Sequence, residues 1–310
     1  MICPKLHELP PPPPGKTGWP WTEASNDLHD SFSGIDSWPV ISIVTPSFNQ
    51  GEYIEETIRS LLLQGYPNLE YLVIDGGSTD NSVEIIRKYE PWLAYWVSEP
   101  DRGQTHAVNK GFQLSSGEIL AWLNSDDTYE KNALQRVARL MVEKPDVDLL
   151  YGNVKIIDES GQTITELRSV PFDSTAFYYE TVHIASQSAV FWRRDLFFKV
   201  GMLDENYSFA MDRELLVRFI QEGAKFWFLH SLLGTYRCHS SSKTFGTADK
   251  SKQELLQIKE IADVRNRSDY KLRRLFYRLR QFTYLTMQGD LPYMLSRLRA
   301  KFRPSAFDRL

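Results

Sequence analysis

The feature that most constrains the fold is a regular alternation of short apolar strands and amphipathic helices between residues 40 and 151. Branched apolar runs predict strands at 40–44, 70–74, 93–97, 118–123 and 148–151. Apolar residues at helical spacing predict helices at 52–64, 82–89, 104–114 and around 134–141. Because the connections are short, successive strands run parallel with helices on the faces of one sheet. We therefore predict an α/β fold with a mainly parallel sheet flanked by helices.

The pattern is looser after residue 160. It predicts strands at 186–192, 225–228 and 232–236, with helices at 194–200 and across 215–220. Residues 250–310 are predicted to be helical, with a break near Gly289 and Pro292. We predict four parts, which are an N-terminal arm (1–38), a first α/β unit (39–160), a second unit (161–248) and a helical C-terminal extension (249–310).

Composition excludes several protein classes. A hydrophobic share of 42% is too high for a disordered chain. Cys3 and Cys238 form neither a disulfide framework nor a zinc-site pattern. No apolar run reaches the ~18–20 residues of a membrane-spanning helix, and the N-terminus leads into polyproline rather than a secretory signal. The prediction is a cytoplasmic protein.

The N-terminal arm combines five consecutive prolines at 10–14 with Trp19, Trp21, Phe32 and Trp38. Proline runs favour extended polyproline II backbone. Such an arm acts either as a strap whose aromatic rings fill surface grooves or as a docking segment for a partner.

Charge is distributed unevenly along the chain. Residues 265–310 carry 12 Lys and Arg against three Asp, a net charge of +9, which leaves −13 for the first 264 residues of a chain whose total is −4. In the basic tail Leu272, Leu275, Phe276, Leu279 and Phe282 recur at helical spacing. The tail is either a helix packed on the body with solvated charges or an interfacial helix attracted to an anionic membrane. Nucleic-acid binding is not expected, because the body is acidic and no recognition motif is present.

Polar segments follow four of the predicted strands, at 45–49, 75–80, 99–103 and 124–127. The carboxyl ends of parallel strands meet at one edge of a sheet, which is where ligands bind in such folds. Asp126 and Asp127 are adjacent carboxylates that repel each other unless a cation or hydrogen-bond donor relieves them. They either bind a metal on a phosphate group or cap the next helix. Asp75 lies where it could accept hydrogen bonds from a nucleobase, and the alternative is that 75–80 is an ordinary strand-to-helix turn. A plain turn is likewise the alternative for Asp101-Arg102-Gly103.

Four motifs in this order are similar to family 2 glycosyltransferases of the GT-A fold, across roughly residues 40–245. They are Thr45-Pro46-Ser47-Phe48-Asn49, Asp75-Gly76-Gly77-Ser78-Thr79-Asp80, Asp101-Arg102-Gly103 followed by Ala107-Val108-Asn109-Lys110-Gly111, and Asn124-Ser125-Asp126-Asp127. The resemblance implies that 39–160 binds the nucleotide-sugar and that 161–248 binds the acceptor.

The resemblance also implies residue roles on the donor side. Pro46 and Phe48 would lie beside the nucleobase, Asp75 would hydrogen-bond it, and Asp126 would reach the ribose or the donor sugar. The implied nucleotide-sugar contacts are Thr45, Pro46, Phe48, Asn49, Asp75, Asp101, Asp126 and Arg237. Asp127 would hold Mn²⁺ or Mg²⁺ on the diphosphate, with His239 as a further metal or phosphate contact. The motif reads Asn-Ser-Asp-Asp rather than Asp-x-Asp, so the choice of metal ligand stays open.

On the acceptor side, the resemblance places the catalytic base at Asp212. Many members have a Glu-Asp pair here, whereas this chain has Met211-Asp212, and Glu214 remains a rival. An Asp that caps the following helix is the other interpretation. Gln187 and His183 are predicted to line the acceptor side, with a structural role as the alternative for His183.

The predicted function is that of an inverting enzyme that moves a sugar from a nucleotide-diphosphate donor to a glycan or lipid-linked acceptor. Cell-surface polysaccharide or glycolipid assembly at the inner face of the membrane suits the basic tail. A sugar nucleotidyltransferase or a dinucleotide oxidoreductase would need a glycine-rich loop after the first strand, where Thr45–Gly51 has none. A non-catalytic nucleotide-sugar-binding protein or membrane-associated binding module of the same fold remains the alternative.

Overall fold

An eight-stranded sheet organises the part of the chain that the computed structural model describes, namely residues 3–25, 37–178, 184, 186–240, 248–261, 269–290 and 293. Its strands are β1 (Ile41–Ser47), β2 (Leu69–Asp75), β3 (Tyr95–Ser98), β4 (Ile119–Trp122), β5 (Leu149–Ile157), β6 (Thr163–Leu167), β7 (Val190–Arg193) and β8 (Phe226–Arg237). The order is β3-β2-β1-β4-β7-β5-β6, and β8 also pairs with β5. All strands run in one direction except β6 and β7. The predicted mainly parallel sheet is confirmed.

Helices cover both faces of this sheet. They are α1 (Ile54–Leu62), α2 (Ser82–Tyr89), α3 (Gln104–Leu114), α4 (Ala133–Glu143), α5 (Ser174–Tyr178), α6 (Arg194–Lys199), α7 (Met211–Gln221), α8 (Ala248–Ile261) and α9 (Tyr270–Met287). Successive side chains of a strand point to opposite faces, so Ile43 packs in a core with α1, α2 and α4 while Val44 packs in a second core with α3, α6 and α7.

Helix α3 packs closely against β1, and this contact fixes the position of the helix on the sheet. A Cβ atom at Gly111 would lie only 2.5 Å from Val44 Cγ1, so this helix position accepts no larger residue without a shift. The contact brings the first turn of α3, which starts at Gln104, to the carboxyl edge of the sheet.

The second half departs from the predicted elements in three respects. Predicted strands 225–228 and 232–236 form one strand, β8, with register irregularities against β5. Predicted strand 186–192 begins as a 3₁₀ turn, Gln187–Ala189, before β7. Strand β6 was not predicted, because its half-exposed sequence lacks apolar alternation. The strands on both sides of residue 160 belong to one sheet.

The described part of the N-terminal arm packs along the side of the molecule that carries α1 and α2. Arg59 of α1 is fully buried and donates hydrogen bonds to the carbonyl oxygens of Pro10 (2.8 Å), Pro20 (3.1 Å) and Trp21 (2.8 Å). Trp21 is buried, and Trp19 Nε1 donates to the Tyr129 carbonyl at 2.9 Å. This arrangement agrees with the strap interpretation; Phe32 lies outside the described residues.

The described parts of the C-terminal extension contain two helices, α8 and α9, which agrees with the prediction; Pro292 lies outside the described residues. Helix α9 ends at Met287, and Gly289 follows with a φ of +77°, which agrees with the predicted break. Within the described ranges no helix has the length and apolar character that crossing a bilayer requires.

Candidate active site

The loops after β1, β2, β3 and β4 are tied together at the carboxyl edge of the sheet. The Gly76 N–H donates to the Ser47 carbonyl at 2.8 Å. The Asn49 N–H donates to Ser78 Oγ at 2.8 Å, and Asn49 Oδ1 accepts from the Thr79 N–H at 2.9 Å. The prediction that these polar segments meet is therefore confirmed.

A cleft of about 780 Å³ opens at this edge. One wall comes from the four loops, and the opposite wall comes from β8, the segment around Gln187, the start of α7 and Leu255 of α8. Three carboxylates line it, those of Asp101, Asp126 and Asp212. Two acidic residues from the first half of the chain thus face a third from the second half.

The nucleotide end of the predicted site is partly assembled in this cleft. Pro46 and Phe48 line it, and Phe48 is 59% exposed at the rim. Asp101 accepts a hydrogen bond from the Gly103 N–H at 2.7 Å. A Cβ atom at Gly76 would lie 2.7 Å from Asp101 Oδ2, so glycine is needed there for the two loops to meet. A flat aromatic ring beside a carboxylate suits a nucleobase and its hydrogen-bond donors.

Three other residues of the predicted nucleotide site do not line the cleft. Thr45 is buried within β1 and bonded to the Tyr71 hydroxyl at 3.1 Å. Asn49 holds the neighbouring loop. Asp75 is fully buried, and its carboxylate accepts hydrogen bonds from Ser78 and Ser98. In the structure their polar groups shape the loops, and their nucleotide contacts stay a prediction.

The adjacent carboxylates Asp126 and Asp127 have opposite environments. Asp126 lines the cleft with 20% of its side chain exposed. Asp127 is 1% exposed and accepts hydrogen bonds from the Arg237 N–H (2.9 Å) and from Asn124 Nδ2 (3.3 Å). Burial, with the negative charge of Asp126 beside it, raises the pKa of Asp127 well above its ordinary value. Asp126 rather than Asp127 therefore faces the cleft, and Asp127 as a metal ligand stays a prediction.

The two predicted cationic contacts, Arg237 at the end of β8 and His239 just after it, also differ in their environments. His239 Nε2 lies 3.0 Å from Asp126 Oδ2. Arg237 is 1% exposed, pairs with Glu56 at 3.0 Å and donates to the Asp126 and Asp158 carbonyl oxygens. Its guanidinium therefore ties loops together and does not line the cleft, and its nucleotide contact stays a prediction.

The two candidate bases, Asp212 and Glu214, lie in different environments. Asp212 lies in the first turn of α7 and lines the cleft, half-buried. Burial raises the pKa of Asp212, and the hydrogen bond from the Arg213 N–H (2.8 Å) only partly opposes this rise. Glu214 is buried and held by Arg218 through two hydrogen bonds of 2.6 and 2.7 Å. Of the two carboxylates, only that of Asp212 lines the cleft.

Unpartnered polar atoms mark the same cleft. Ser47 Oγ, Gln50 Oε1, Trp122 Nε1 and Gln187 Oε1 are buried with no hydrogen-bond partner among the described residues, and all four residues line the cleft. Buried polar atoms without partners are rare in folded proteins, so their concentration here indicates a polar ligand. Gln187 was predicted; His183 lies outside the described residues. Trp122 was not predicted, and its only signal was a place two residues before Asn124.

The residues present suit a divalent cation bound together with a ligand. Among the described residues no three metal-binding side chains form a cluster. Asp126 lines the cleft, and His239, whose side chain is 1% exposed, lies behind it with Nε2 3.0 Å from Asp126 Oδ2. Mg²⁺ and similar ions are commonly held by one or two carboxylates plus phosphate oxygens, and Asp126 supplies one such carboxylate.

Solved structures with the same architecture define the class. The structure of Staphylococcus aureus TarS 1–349 in complex with UDP-GlcNAc matches with a TM-score of 0.58 and 19% identity over 74% of this chain and 67% of that one. The mannosyltransferase PcManGT from Pyrobaculum calidifontis, in complex with GDP-Man and Mn²⁺, matches with a TM-score of 0.58 and 18% identity over 88% of this chain and 83% of that one. The fold is that of GT-A-type glycosyltransferases.

The sequence comparisons establish the family. The model of glycosyl transferase family 2 matches residues 42–201, and the chain belongs to this family. An uncharacterized glycosyltransferase of Mycobacterium tuberculosis (strain H37Rv) is 32% identical over 189 residues, 59% of this chain and 70% of the relative. The putative teichuronic acid biosynthesis glycosyltransferase TuaG of Bacillus subtilis is 34% identical over 114 residues, 36% of this chain and 45% of the relative.

Proposed function

We propose that this protein is an inverting glycosyltransferase that moves a sugar from a nucleotide-diphosphate donor to an acceptor hydroxyl, with Asp212 as the base. The observation that carries the proposal is that Asp212 lines the same cleft as Asp101 and Asp126. A donor held by the loops after β1–β4 would place its sugar in the cleft, with the acceptor hydroxyl between that sugar and Asp212.

The reaction follows from the charges that develop. The bond between the anomeric carbon and the phosphate oxygen breaks, and the diphosphate leaves with the bonding electrons. The acceptor oxygen forms the new bond to the anomeric carbon and loses its proton to Asp212. A carboxylate whose pKa is raised by burial is a stronger base than an exposed one. One base and one displacement invert the configuration at the anomeric carbon.

The donor-binding proposal assigns a role to each end of the cleft. Pro46 and Phe48 contact the nucleobase, and Asp101 accepts hydrogen bonds from the nucleoside. Asp126 lies nearer the diphosphate and the sugar. Trp122 Nε1 as donor and Gln187 Oε1 as acceptor supply hydrogen bonds to hydroxyl groups of the sugar or the acceptor.

We propose Mn²⁺ or Mg²⁺ as the cofactor, held by Asp126 and His239. When bound, the ion neutralises the negative charge that develops on the leaving diphosphate. The buried Asp127 supports this pair from behind, since it fixes the backbone of Arg237, two residues before His239. The Mn²⁺ present in the structure of the mannosyltransferase PcManGT agrees with this assignment.

The acceptor is proposed to be a growing cell-surface polysaccharide or a glycolipid, at the inner face of the membrane. The name of TuaG, a relative in teichuronic acid biosynthesis, supports the polysaccharide class. The net charge of +9 in residues 265–310 supports a site of action at an anionic membrane.

Replacing Asp212 tests the proposal. Asp212→Asn should lower kcat by about 10²–10⁴-fold while donor binding is retained, because proton removal is lost and the cleft is otherwise unchanged. Because the pKa of Asp212 is raised, the wild-type kcat/KM should fall as the pH drops from neutral through a value above the ordinary Asp pKa.

Glu214→Gln is the matched control, because it removes a neighbouring carboxylate that the cleft does not use. It should retain turnover. Wild-type turnover of Asp212→Asn would place the base elsewhere. A protein that binds donors but transfers none to any acceptor would instead be a non-catalytic binder.

A further inference from the structure

Helix α9 has an unusual composition for a surface helix. Its 18 residues contain five basic side chains and no acidic one. Of the twelve large apolar side chains that are exposed in the described part of the chain, six lie on this helix. They are Leu272, Leu275, Phe276, Leu279, Phe282 and Met287, with exposures from 47% to 80%.

The helix presents three distinct faces. Arg274, Tyr277, Gln281, Tyr284 and Leu285 are the less exposed residues, and they share one side. At ~100° per residue the six exposed apolar side chains fall on the opposite side, across an arc of about 140°. Lys271 and Arg278 flank this apolar face on one edge, and Arg273 and Arg280 flank it on the other.

The less exposed face of α9 is anchored to the body. Leu285 is buried against Val170. Arg280 pairs with Asp173 at 2.5 Å, and Arg168 pairs with Asp290 at 2.7 Å just beyond the helix. The apolar face therefore points away from the body because the opposite face is already in use.

Charge decides what can cover the apolar face. A second copy packed face to face would bring two helices of +5 together. The segment 294–310 carries five basic residues and one Asp, so it would add like charge as well. An anionic surface complements the basic flanks, and a lipid bilayer also accepts Leu and Phe side chains at its interface.

We propose that α9 is a membrane-docking helix that lies on an anionic lipid surface, with its apolar side chains in the headgroup region and the Lys271 and Arg278 edge on lipid phosphates. The acidic body, at −13 for residues 1–264, faces away from the surface. This proposal concerns binding alone and holds whether or not the transfer reaction does.

Vesicle flotation without any nucleotide tests the proposal. The full chain should float with vesicles of phosphatidylglycerol and phosphatidylcholine and much less with phosphatidylcholine alone, and added salt should reduce the bound fraction. Leu275→Ser with Phe276→Ser should weaken binding about tenfold or more, because two interfacial side chains are removed. Lys271→Gln with Arg278→Gln should weaken binding about fivefold for each charge removed, from ~1 kcal/mol each.

Matched controls separate docking from general effects. Leu114→Ser with Val142→Ser removes two exposed apolar side chains elsewhere, and Arg87→Gln with Lys88→Gln removes two exposed charges of α2. Both controls, and Asp212→Asn, should bind as the wild type does. Undiminished binding by Leu275→Ser with Phe276→Ser, or equal binding to neutral vesicles, would overturn the proposal. So would a dimer in solution that this double variant dissociates, since a second copy would then cover the face.

Discussion

At the residue scale, two neighbouring carboxylates have different functions because only one of them faces the cleft. Asp126 lines it beside His239, whereas both oxygens of Asp127 accept hydrogen bonds inside the protein. Burial is the largest cause of the raised pKa of Asp127, and the charge of Asp126 is the next. Asp127 is therefore a structural residue that is costly to ionise.

Asp127→Asn should stabilise the metal-free protein at pH 7. A raised pKa in the folded state means that the contribution of Asp127 to stability declines as the pH rises above about 4, its unfolded value. Asn does not titrate, so its advantage should grow between pH 4 and pH 7, to about 2–4 °C in melting temperature. Thermal unfolding in EDTA at both pH values measures it.

Asp146→Asn, which removes one exposed charge outside the cleft, is the control for the net charge. A variant Asp127→Asn that is less stable at pH 7 than at pH 4, relative to wild type, would show that Asp127 acts as a stabilising anion.

At the element scale, α8 is attached to the loop that carries the chain into α7. Glu254 of α8 is 4% exposed, and its carboxylate accepts hydrogen bonds from the N–H groups of Ser208 (3.0 Å), Phe209 (2.8 Å) and Ala210 (2.8 Å). Burial alone would raise the pKa of Glu254, but these hydrogen bonds lower it below its ordinary value. Asp212 follows this loop directly, so α8 helps to position the proposed base.

Glu254→Ala should cost about 2 kcal/mol of stability at pH 7, because three N–H groups, one of them buried and two part-buried, lose their acceptor. It should also lower kcat more than it raises KM for the donor. The folded pKa is lowered, so the contribution of Glu254 is present above about 4.3 and is lost as the pH falls through the folded value. The measurements are urea unfolding from neutral pH down to below pH 4, and transfer kinetics at neutral pH.

Glu143→Ala provides the comparison, because Glu143 forms an exposed i,i+4 ion pair with Arg139. Its effect should stay within about 0.5 kcal/mol. Equal losses in the two variants, or unchanged kcat in Glu254→Ala, would contradict a positioning role.

At the scale of the whole molecule, an acidic body has to bind an anionic donor. The first 264 residues carry −13, and three carboxylates line the cleft. A diphosphate would be repelled by such a surface unless a cation lies between them. The proposed ion at Asp126 and His239 thus follows from the overall charge as well as from the local geometry.

UDP or GDP should raise the melting temperature by several degrees in the presence of Mn²⁺, and little in EDTA. A ligand at a hundred times its Kd adds about 2.7 kcal/mol to the stability of the folded state. Asp126→Ala should lose most of the shift, whereas Asp146→Ala, which removes an exposed charge outside the cleft, should keep it. Differential scanning fluorimetry provides the measurement, and equal shifts in Mn²⁺ and EDTA would contradict the metal proposal.

The sequence alone determined the α/β class, most element positions up to residue 151 and the meeting of four polar loops, because apolar periodicity is local and parallel strands end at one edge. It could not decide which of Asp126 and Asp127 faces the cleft, that Glu214 is paired with Arg218, or that Arg237 is buried. Those outcomes depend on side-chain directions set by contacts between distant segments, such as the hydrogen bond from the Arg237 N–H to Asp127 across 110 positions of the chain. Only the tertiary structure brings such partners together, and the residues that reach the cleft are therefore decided by packing.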